Sequence, residues 1–172
     1  MLPIYLQIMR TITMNYDEAM NISKVQFGQM PPQAFLLGLL SAFDNRYQAT
    51  ADNYFKEITW KQFFAIICIN LCKEPPTLND LSDIMGSSHQ NVKQILIKLE
   101  KKGFVTMIPD EKDKRKQRIL VTDKCRKFCE ESDRKSPNSE EMIGKIFEGI
   151  DEKNLITTIE TIMHMERNLS KL

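Results

Sequence analysis

A helix with one apolar face and one polar, basic face is the first feature of this sequence that could carry out chemistry. Residues 89–102 place apolar side chains at the i, i+3, i+4, i+7 spacing of one helix face, namely Val92, Ile95, Leu96 and Leu99. At about 100° per residue, the side chains that point the other way are Gln90, Lys93, Gln94, Ile97, Lys98 and Lys101. In the major groove, glutamine pairs with adenine, lysine donates to guanine, and an apolar side chain contacts the thymine methyl group. The pattern predicts a helix that reads base edges, and the alternative interpretation is an ordinary solvated helix face.

Two serines precede this helix. Ser87 and Ser88 follow Gly86, and either serine is a candidate N-cap; Ser87-x-x-Gln90 also has the form of a capping box. Helix N-termini bind phosphate groups through their free amides. We therefore expect both serines to contact a phosphate backbone, although capping alone would also explain them.

A second basic cluster lies in a loop between two predicted strands, Phe104–Ile108 and Arg118–Thr122. Five of the seven residues from Lys112 to Arg118 are Lys or Arg. Such a charge run is usually a solvated loop, but a two-stranded ribbon directly after the polar helix makes this loop the tip of a wing. The candidate DNA contacts in it are Lys112, Asp113, Lys114, Arg115 and Lys116.

The charge is unevenly distributed along the chain. The net charge of the whole chain is only +1. Residues 87–118 contain nine basic and four acidic side chains, a net charge of +5. Residues 136–172 contain four basic and seven acidic side chains, a net charge of −3. A basic central block between neutral or acidic flanks indicates one face that binds a polyanion.

The elements that must position these side chains are mainly helical. Helices are predicted over residues 33–54, 60–73, 78–85, 88–102, 123–136, 139–148 and 151–169. The short helix before Gly86, the turn and the longer helix after it have the order of a helix–turn–helix, and the ribbon makes it a winged one. The predicted fold is therefore mainly α, a winged helix–turn–helix with a two-stranded β-wing. The chain divides into an N-terminal extension of unassigned role (1–32), a long helix (33–58), the winged helix–turn–helix (59–122) and C-terminal helices (123–172).

Periodicity also assigns inner faces to these helices. The helix that follows Thr59, a predicted N-cap, is apolar nearly all round, which is typical of a central, buried helix. Thr77 and Asp80 are predicted to cap the short helix. The inner face of the short helix is predicted to carry Leu78, Leu81, Ile84 and Met85. The apolar side of the last helix is predicted to carry Ile156, Ile159, Ile162, Met163 and Leu169.

The four cysteines form two pairs with i, i+4 spacing, Cys68 with Cys72 and Cys125 with Cys129. A disulfide within such a pair would strain the helix, so we expect four reduced thiols in a reducing compartment. Neither pair is a CxxC motif or has the close spacing of a metal site, and no metal and no cofactor are predicted. The alternative is a regulator that senses oxidants or metals through these thiols, which requires the two pairs to meet in space.

Composition limits the other function classes. With 42% hydrophobic and 27% charged residues, the chain has the composition of a soluble globular protein. The two histidines, His89 and His164, lie in different regions, and the six glycines form no phosphate-binding loop. No catalytic residues are therefore assigned, and no enzymatic activity is expected. Without a bilayer-spanning apolar run or a signal peptide, we expect no membrane association and a cytoplasmic location.

Three segments of the sequence resemble the multiple antibiotic resistance regulator (MarR) family. Residues 92–105 (VKQILIKLEKKGFV) resemble the end of that family's recognition helix and its "LEKRGLV" strand. Residues 110–122 (DEKDKRKQRILVT) resemble its "D-x-x-D-x-R…-x-L-T" wing, and Thr59-x-x-Gln62 resembles the opening of its buried helix. The resemblance covers about residues 33–172. It implies a winged helix–turn–helix transcriptional regulator, often a repressor.

The resemblance carries further implications for partners and sites. It implies a homodimer in which the helices at 33–54 and 139–169 interlock between protomers, bound to a pseudo-palindromic operator in double-stranded DNA. It implies that Arg115 enters the minor groove, oriented by Asp113. It also implies a small aromatic effector, for which the candidate lining residues are Phe43, Tyr47, Phe63 and Phe64, or these aromatics are simply core. A winged helix that binds protein instead of DNA is the alternative from a different class.

Overall fold

The computed structural model describes residues 30–55, 57–133 and 139–172. The predictions for the extension before residue 30 and for the break around Pro137 lie outside these residues. The described residues fall into two compact units that divide between Thr50 and Ala51. Each unit is described by itself.

The first helix, α1 (Pro32–Asp52), accounts for the described part of the first unit. Proline suits its first position, because the fixed φ angle is helical and the missing N–H has no partner there anyway. Of the aromatic side chains of α1, Phe35 is buried, whereas Phe43 has half of its surface exposed.

The central helix of the second unit, α2 (Trp60–Leu71), begins with a capping box. The Thr59 hydroxyl accepts from the Gln62 amide at 3.3 Å, and the Gln62 side chain accepts from the Thr59 amide at 3.3 Å. Four apolar residues of α2 are buried in the core, namely Ala65, Ile66, Cys68 and Ile69. The expectation of an apolar helix buried on all sides is wrong at Leu71, which is 76% exposed because it lies in the last turn, before the chain leaves at Cys72.

The short helix α3 (Leu78–Met85) has the predicted Thr77–Asp80 capping box and ends at Gly86, whose φ of 58° is left-handed and suits glycine. The prediction that Ile84 faces inward is wrong, since Ile84 is 50% exposed. Ile84 lies about 120° away from the centre of the face that carries Leu81. Ser82 is buried beside Leu81 on that face, where Ile84 was expected, and its hydroxyl donates to the Leu78 carbonyl at 2.8 Å.

The longer helix α4 (His89–Lys101) begins at Ser88, whose hydroxyl accepts from the Asn91 amide at 3.3 Å. The helix therefore begins one residue too late for the capping box predicted at Ser87 and Gln90. The chain then turns at Gly103, where φ is 73°, into an antiparallel ribbon. Strand β1 (Val105–Pro109) pairs with β2 (Gln117–Val121), with Val105 opposite Val121 and Pro109 opposite Gln117.

Three helices complete the second unit: α5 (Asp123–Asp133), α6 (Ser139–Ile146) and α7 (Glu152–Leu169). Thr122 caps α5, because its hydroxyl accepts from the Cys125 amide at 3.3 Å. None of the residues of α7 is buried, and Ile156, Ile159, Met163 and Leu169 are each about half exposed or more.

One apolar core holds α2, α3, α4, the ribbon and α5 together. Its buried residues are Ile58, Ala65, Ile66, Cys68, Ile69, Leu81, Val92, Leu96, Leu99, Phe104, Val105, Ile119, Val121 and Cys125. The core therefore fixes the long helix of the helix–turn–helix and the base of the wing in one rigid arrangement. Within the described ranges, none of the helices has both the length and the apolar character needed to cross a membrane.

Candidate nucleic-acid interface

The polar face of α4 is exposed along its whole length. All six side chains that periodicity assigns to this face are exposed, namely Gln90, Lys93, Gln94, Ile97, Lys98 and Lys101. The opposite face is fixed by Val92 and Leu99, which are fully buried, and by Leu96, which is 2% exposed. A helix fixed by its apolar face presents these outward side chains in a constant order, which base reading requires.

The N-terminus of α4 places its two serines differently. Ser88 is exposed and caps the helix, whereas Ser87 is half-buried and its amide donates to the Ser82 carbonyl at 3.1 Å. Ser88 is therefore the better placed of the two to contact a phosphate.

Arg115 lies at the tip of the wing, with 91% of its side chain exposed. Asp113 accepts from the Arg115 backbone amide at 3.2 Å, from Nε at 3.0 Å and from Nη2 at 3.2 Å. These hydrogen bonds, led by those of the guanidinium, lower the pKa of the Asp113 carboxyl. The two donors on one carboxylate orient the guanidinium, as the family resemblance implies for this pair.

Asp110, the first residue of the wing motif, was not among the predicted site residues, but it organises the same loop. Its side chain is buried, and Oδ1 accepts from the backbone amides of Lys112 at 2.9 Å and Asp113 at 2.8 Å. Oδ2 accepts from Nε of Arg118. The amide of Asp113 and the guanidinium of Arg118 hold the pKa of Asp110 at about 2. The signal in the sequence was weak, because Asp110 is one charge in a run of charges.

Arg118 and Lys102, two of the basic residues counted in the central block, donate to backbone carbonyls. Arg118 Nη1 donates to the Pro75 carbonyl at 2.9 Å. Lys102 Nζ donates to the Glu57 carbonyl, and Lys124 Nζ donates to the Lys102 carbonyl at 2.6 Å. The positive charge of residues 87–118 is therefore not all on one face, and part of it stabilises the fold.

A groove of about 700 Å³ lies between α4 and the wing. Its basic lining residues are Lys93, Lys114, Arg115, Lys116 and Arg118. Ile97 and Met107 form part of its floor, and Asp80 is its acidic member. The groove brings Lys93 and Ile97 of α4 and three wing residues to one concave, basic surface. The other basic and amide candidates lie outside its lining, namely Gln90, Gln94, Lys98, Lys101 and Lys112.

The candidate effector-binding aromatics fall into the two separate units. In α1, the rings of Phe43 and Tyr47 stack with centroids 6.1 Å apart, and burial raises the pKa of the Tyr47 hydroxyl. In α2, Phe63 and Phe64 are half-buried; Phe63 contacts Phe55 at 4.7 Å between centroids, and Phe64 stacks on Trp60 at 6.1 Å. Sequence reasoning missed Phe55 and Trp60, which extend this cluster.

The four cysteines are free thiols. Cys125 is fully buried, and its hydrogen bond to Cys129, together with burial, raises its pKa. Burial also raises the pKa of Cys68, and the Cys72 thiol donates to the Cys68 carbonyl at 3.2 Å. A raised pKa keeps a thiol protonated and slow to react. Across the described segments, no group of three or more His, Cys, Asp or Glu side chains is arranged to hold a metal ion.

Comparisons with known proteins agree with this architecture. Residues 58–116 match the model of the MarR family. A comparison with curated proteins gave no significant match.

Among solved structures, a MarR/EmrR family transcriptional regulator from Acinetobacter sp. ADP1 is 14% identical, with a TM-score of 0.71, over 86% of this chain and 100% of the other. MepR of S. aureus, in a DNA complex, is 20% identical, with a TM-score of 0.65, over 76% and 95% of the two chains. Bordetella bronchiseptica BpsR, whose DNA binding is regulated by 6-hydroxynicotinic acid, is 18% identical, with a TM-score of 0.64, over 76% and 98%. Residues 58–116 are therefore identified as a MarR-family domain, and the chain has the winged helix–turn–helix fold of the solved MarR-family regulators.

Proposed function

We propose that this protein binds a pseudo-palindromic operator as a homodimer and represses transcription until a small aromatic effector lowers its affinity for the DNA. The observation that carries the proposal is the groove between α4 and the wing, which joins Lys93 and Ile97 of the exposed α4 face to the exposed basic wing tip. DNA is the polyanion that such a surface fits, because a helix fills the major groove while the flanking wing reaches the neighbouring minor groove.

The roles within the site follow from side-chain chemistry. Gln90, Gln94 and Ile97 offer the amide and methyl groups that read adenine and thymine. Lys93 can donate to guanine. The phosphate contacts in this proposal come from Ser87, Ser88, Lys98, Lys101, Lys112, Lys114 and Lys116. Phosphate contacts fix the register on the duplex, and the amide contacts choose the sequence.

The exposed apolar side of α7 supports the homodimer. Ile156, Ile159 and Met163 recur at helical spacing and lie about half exposed in the described chain. Water-exposed apolar stripes of this kind mark association surfaces. A two-fold dimer places two copies of α4 about one helical turn apart, roughly 10 bp between half-site centres.

The aromatic residues of α1 and α2 support an effector that carries a ring. Phe43 and Tyr47 stack in α1, and Phe63 and Phe64 belong to the aromatic cluster of α2. Regulation of BpsR by 6-hydroxynicotinic acid is a precedent within the same fold. The opposing interpretation, that Phe63 and Phe64 only fill the core, agrees with their packing against it.

The test starts from the unmodified protein and genomic DNA. Bound fragments are recovered and sequenced, and the enriched motif is then titrated by electrophoretic mobility shift with wild type, Gln94→Ala and Lys73→Ala. Lys73 is exposed outside the groove and serves as the matched control. We expect an inverted repeat, a loss of preference in Gln94→Ala and wild-type binding in Lys73→Ala. Failure to enrich any sequence would overturn the proposal and favour the protein-binding winged helix.

The effector is tested on the same operator. A panel of phenolic and heteroaromatic carboxylic acids is added at fixed protein and DNA concentrations. We expect at least one compound to release the DNA, and release to be lost in Tyr47→Ala. An operator affinity that ignores the whole panel would remove the aromatic effector from the proposal.

A further inference from the structure

The base of the wing is closed by a buried carboxylate. Asp110 is 6% exposed and accepts three hydrogen bonds, two from amides of the wing loop and one from the Arg118 guanidinium. The amide of Asp110 in turn donates to the Lys116 carbonyl at 2.9 Å, so the two ends of the loop are joined. These three hydrogen bonds offset the free-energy cost of burying the Asp110 carboxylate, because their donors are held in place by the wing loop and β2.

Arg118 connects that carboxylate to a different part of the helix–turn–helix. Its Nε donates to Asp110, and its Nη1 donates to the Pro75 carbonyl in the loop between α2 and α3. One residue further along β2, the Ile119 amide donates to the Pro76 carbonyl at 2.9 Å. The Arg118 side chain is 31% exposed, and its guanidinium spans the wing base and the Pro75-Pro76 loop.

We propose that Arg118 and Asp110 are positioning residues, which fix the angle of the wing so that Arg115 meets the DNA while α4 occupies the major groove. This inference rests on the proposed function. Sequence reasoning assigned Arg118 to a strand and did not give it or Asp110 a place among the DNA contacts.

The geometry of the ribbon explains why the angle matters. An isolated two-stranded ribbon is only marginally stable in water, so its direction depends on what ties down its base. Each strand has five residues and is therefore about 17 Å long. A tilt of about 10° at the base would displace the tip by about 3 Å, the length of one hydrogen bond.

The negative charge of Asp110 allows the positioning role to be distinguished from a purely electrostatic effect on DNA binding. Asp110 is negative, so its removal by Asp110→Asn should strengthen DNA binding if only the field of the protein matters. The positioning role predicts the opposite, since asparagine accepts more weakly and leaves the Arg118 guanidinium without its ion-pair partner.

The experiment is a double-mutant cycle on the operator. Arg118→Gln and Asp110→Asn are each measured alone and combined with Arg115→Ala, with Lys116→Ala as a matched loss of one exposed charge of the wing loop outside the Asp110–Arg118 pair. We expect Arg118→Gln and Asp110→Asn each to bind the operator about tenfold more weakly than wild type, and urea denaturation checks that each variant is folded. In the Arg118→Gln or Asp110→Asn background, Arg115→Ala should then lower operator affinity by less than twofold. In the Lys116→Ala background, Arg115→Ala should lower operator affinity by as much as it does in wild type.

Footprinting supplies a second readout. In Arg118→Gln, minor-groove protection at the outer flanks of the operator should be lost, while major-groove methylation protection under α4 stays. Arg118→Lys keeps the charge but has a single nitrogen, so it cannot place separate nitrogens at Asp110 and at the Pro75 carbonyl as the guanidinium does. We therefore expect it to restore only part of the affinity. If a glutamine variant does not fold, the lysine variant carries the same cycle.

The outcomes separate the two levels of the argument. Additive losses with an unchanged footprint, or tighter binding in Asp110→Asn, would overturn the positioning role and assign Arg118 a direct phosphate contact. Failure of the wild type to bind any operator would instead overturn the proposed function.

Discussion

At the scale of single residues, the wing tip carries an ion pair that can open at little cost. Arg115 is almost fully exposed, and exposed ion pairs contribute little to stability because water and salt screen them. Asp113 therefore orients the guanidinium in the free protein without holding it strongly. An arginine prepared in this way can exchange its carboxylate partner for the electronegative floor of a narrow minor groove.

We expect Arg115→Ala to lose both affinity and preference for a narrow minor groove. Arg115→Lys should keep the charge-dependent part of the affinity and lose part of the preference, because an ammonium is more strongly hydrated and less planar than a guanidinium. Titrations over a salt series measure both effects, since each phosphate neutralised adds about 0.9 to the salt slope.

Lys114→Ala is the control, because it removes one positive charge at the position directly before Arg115 in the same loop. It should lower the salt slope and leave the preference for the operator's flanks unchanged. Wild-type affinity of Arg115→Ala at every salt concentration would show that the wing tip does not touch the DNA.

The low pKa of Asp110 gives a prediction for stability against pH. Its carboxyl titrates near 2 in the folded protein, below the value of about 3.9 in an unfolded chain. Because the folded-state pKa is lowered, the ionised group stabilises the fold above about pH 4, and this stabilisation is lost as the pH falls toward 2. We expect Asp110→Asn to have a lower urea midpoint than wild type at pH 7.

The difference in midpoint between these two proteins should shrink between pH 4 and pH 2. Glu111→Gln, an exposed neighbour, is the control and should track wild type over the whole range. A difference that is constant with pH would mean that the ion pair and amide contacts of Asp110 do not stabilise the fold.

Residue-level prediction from the sequence succeeded where periodicity decides and failed where burial of charge decides. The outward face of α4 follows from the 3.6-residue repeat, and all six of its predicted side chains are exposed. Asp110 was recognised only as the first residue of the wing motif and was given no role, and Arg118 could not be distinguished from the charged residues around it. Their roles depend on backbone amides and a proline carbonyl that meet only in the folded chain.

At the scale of elements, α4 combines a buried stripe with a readable face, and the two can be tested separately. Gln94→Ala should relax base preference, with a loss of about 1–3 kcal/mol on the preferred sequence. Lys101→Ala should weaken binding to all sequences alike, as expected for a phosphate contact. Binding to a library of randomised half-sites measures both, and unchanged preference in a Gln90, Lys93 and Gln94 triple alanine variant would show that α4 does not read bases.

Element boundaries were predicted to within one to three residues, and the errors have local causes. Both strands begin one residue away from the prediction, because Phe104 is used in the core turn and Gln117 pairs with Pro109. The capping box predicted at Ser87 and Gln90 does not form, since Ser88 caps α4 and the Ser87 amide closes the turn onto Ser82. Hydrophobicity alone placed Ile84 inside, although helix geometry turns it outward.

At the scale of the whole molecule, the apolar side of α7 predicts association. We expect light scattering to give twice the mass of the chain at micromolar concentration. Met163→Glu should lower the measured mass, because it places a charge on the apolar side. Thr161→Glu, on the opposite side of the same helix, is the control. A wild-type protein that stays monomeric at micromolar concentration would remove the dimer from the proposal.

The closed loop of the wing has a consequence for proteolysis. Lys112, Lys114, Arg115 and Lys116 supply consecutive trypsin sites on an exposed loop, the kind of segment that proteases usually cut first. The hydrogen bonds from the amides of Lys112 and Asp113 to Asp110, and from Lys116 to Asp113, hold these peptide bonds in a turn. Cleavage then requires the loop to open, and its rate reports the free energy of that opening. We expect Asp110→Asn to be cut at these sites faster than wild type. The fragment masses after brief digestion therefore show, without any DNA, how often the wing loop opens.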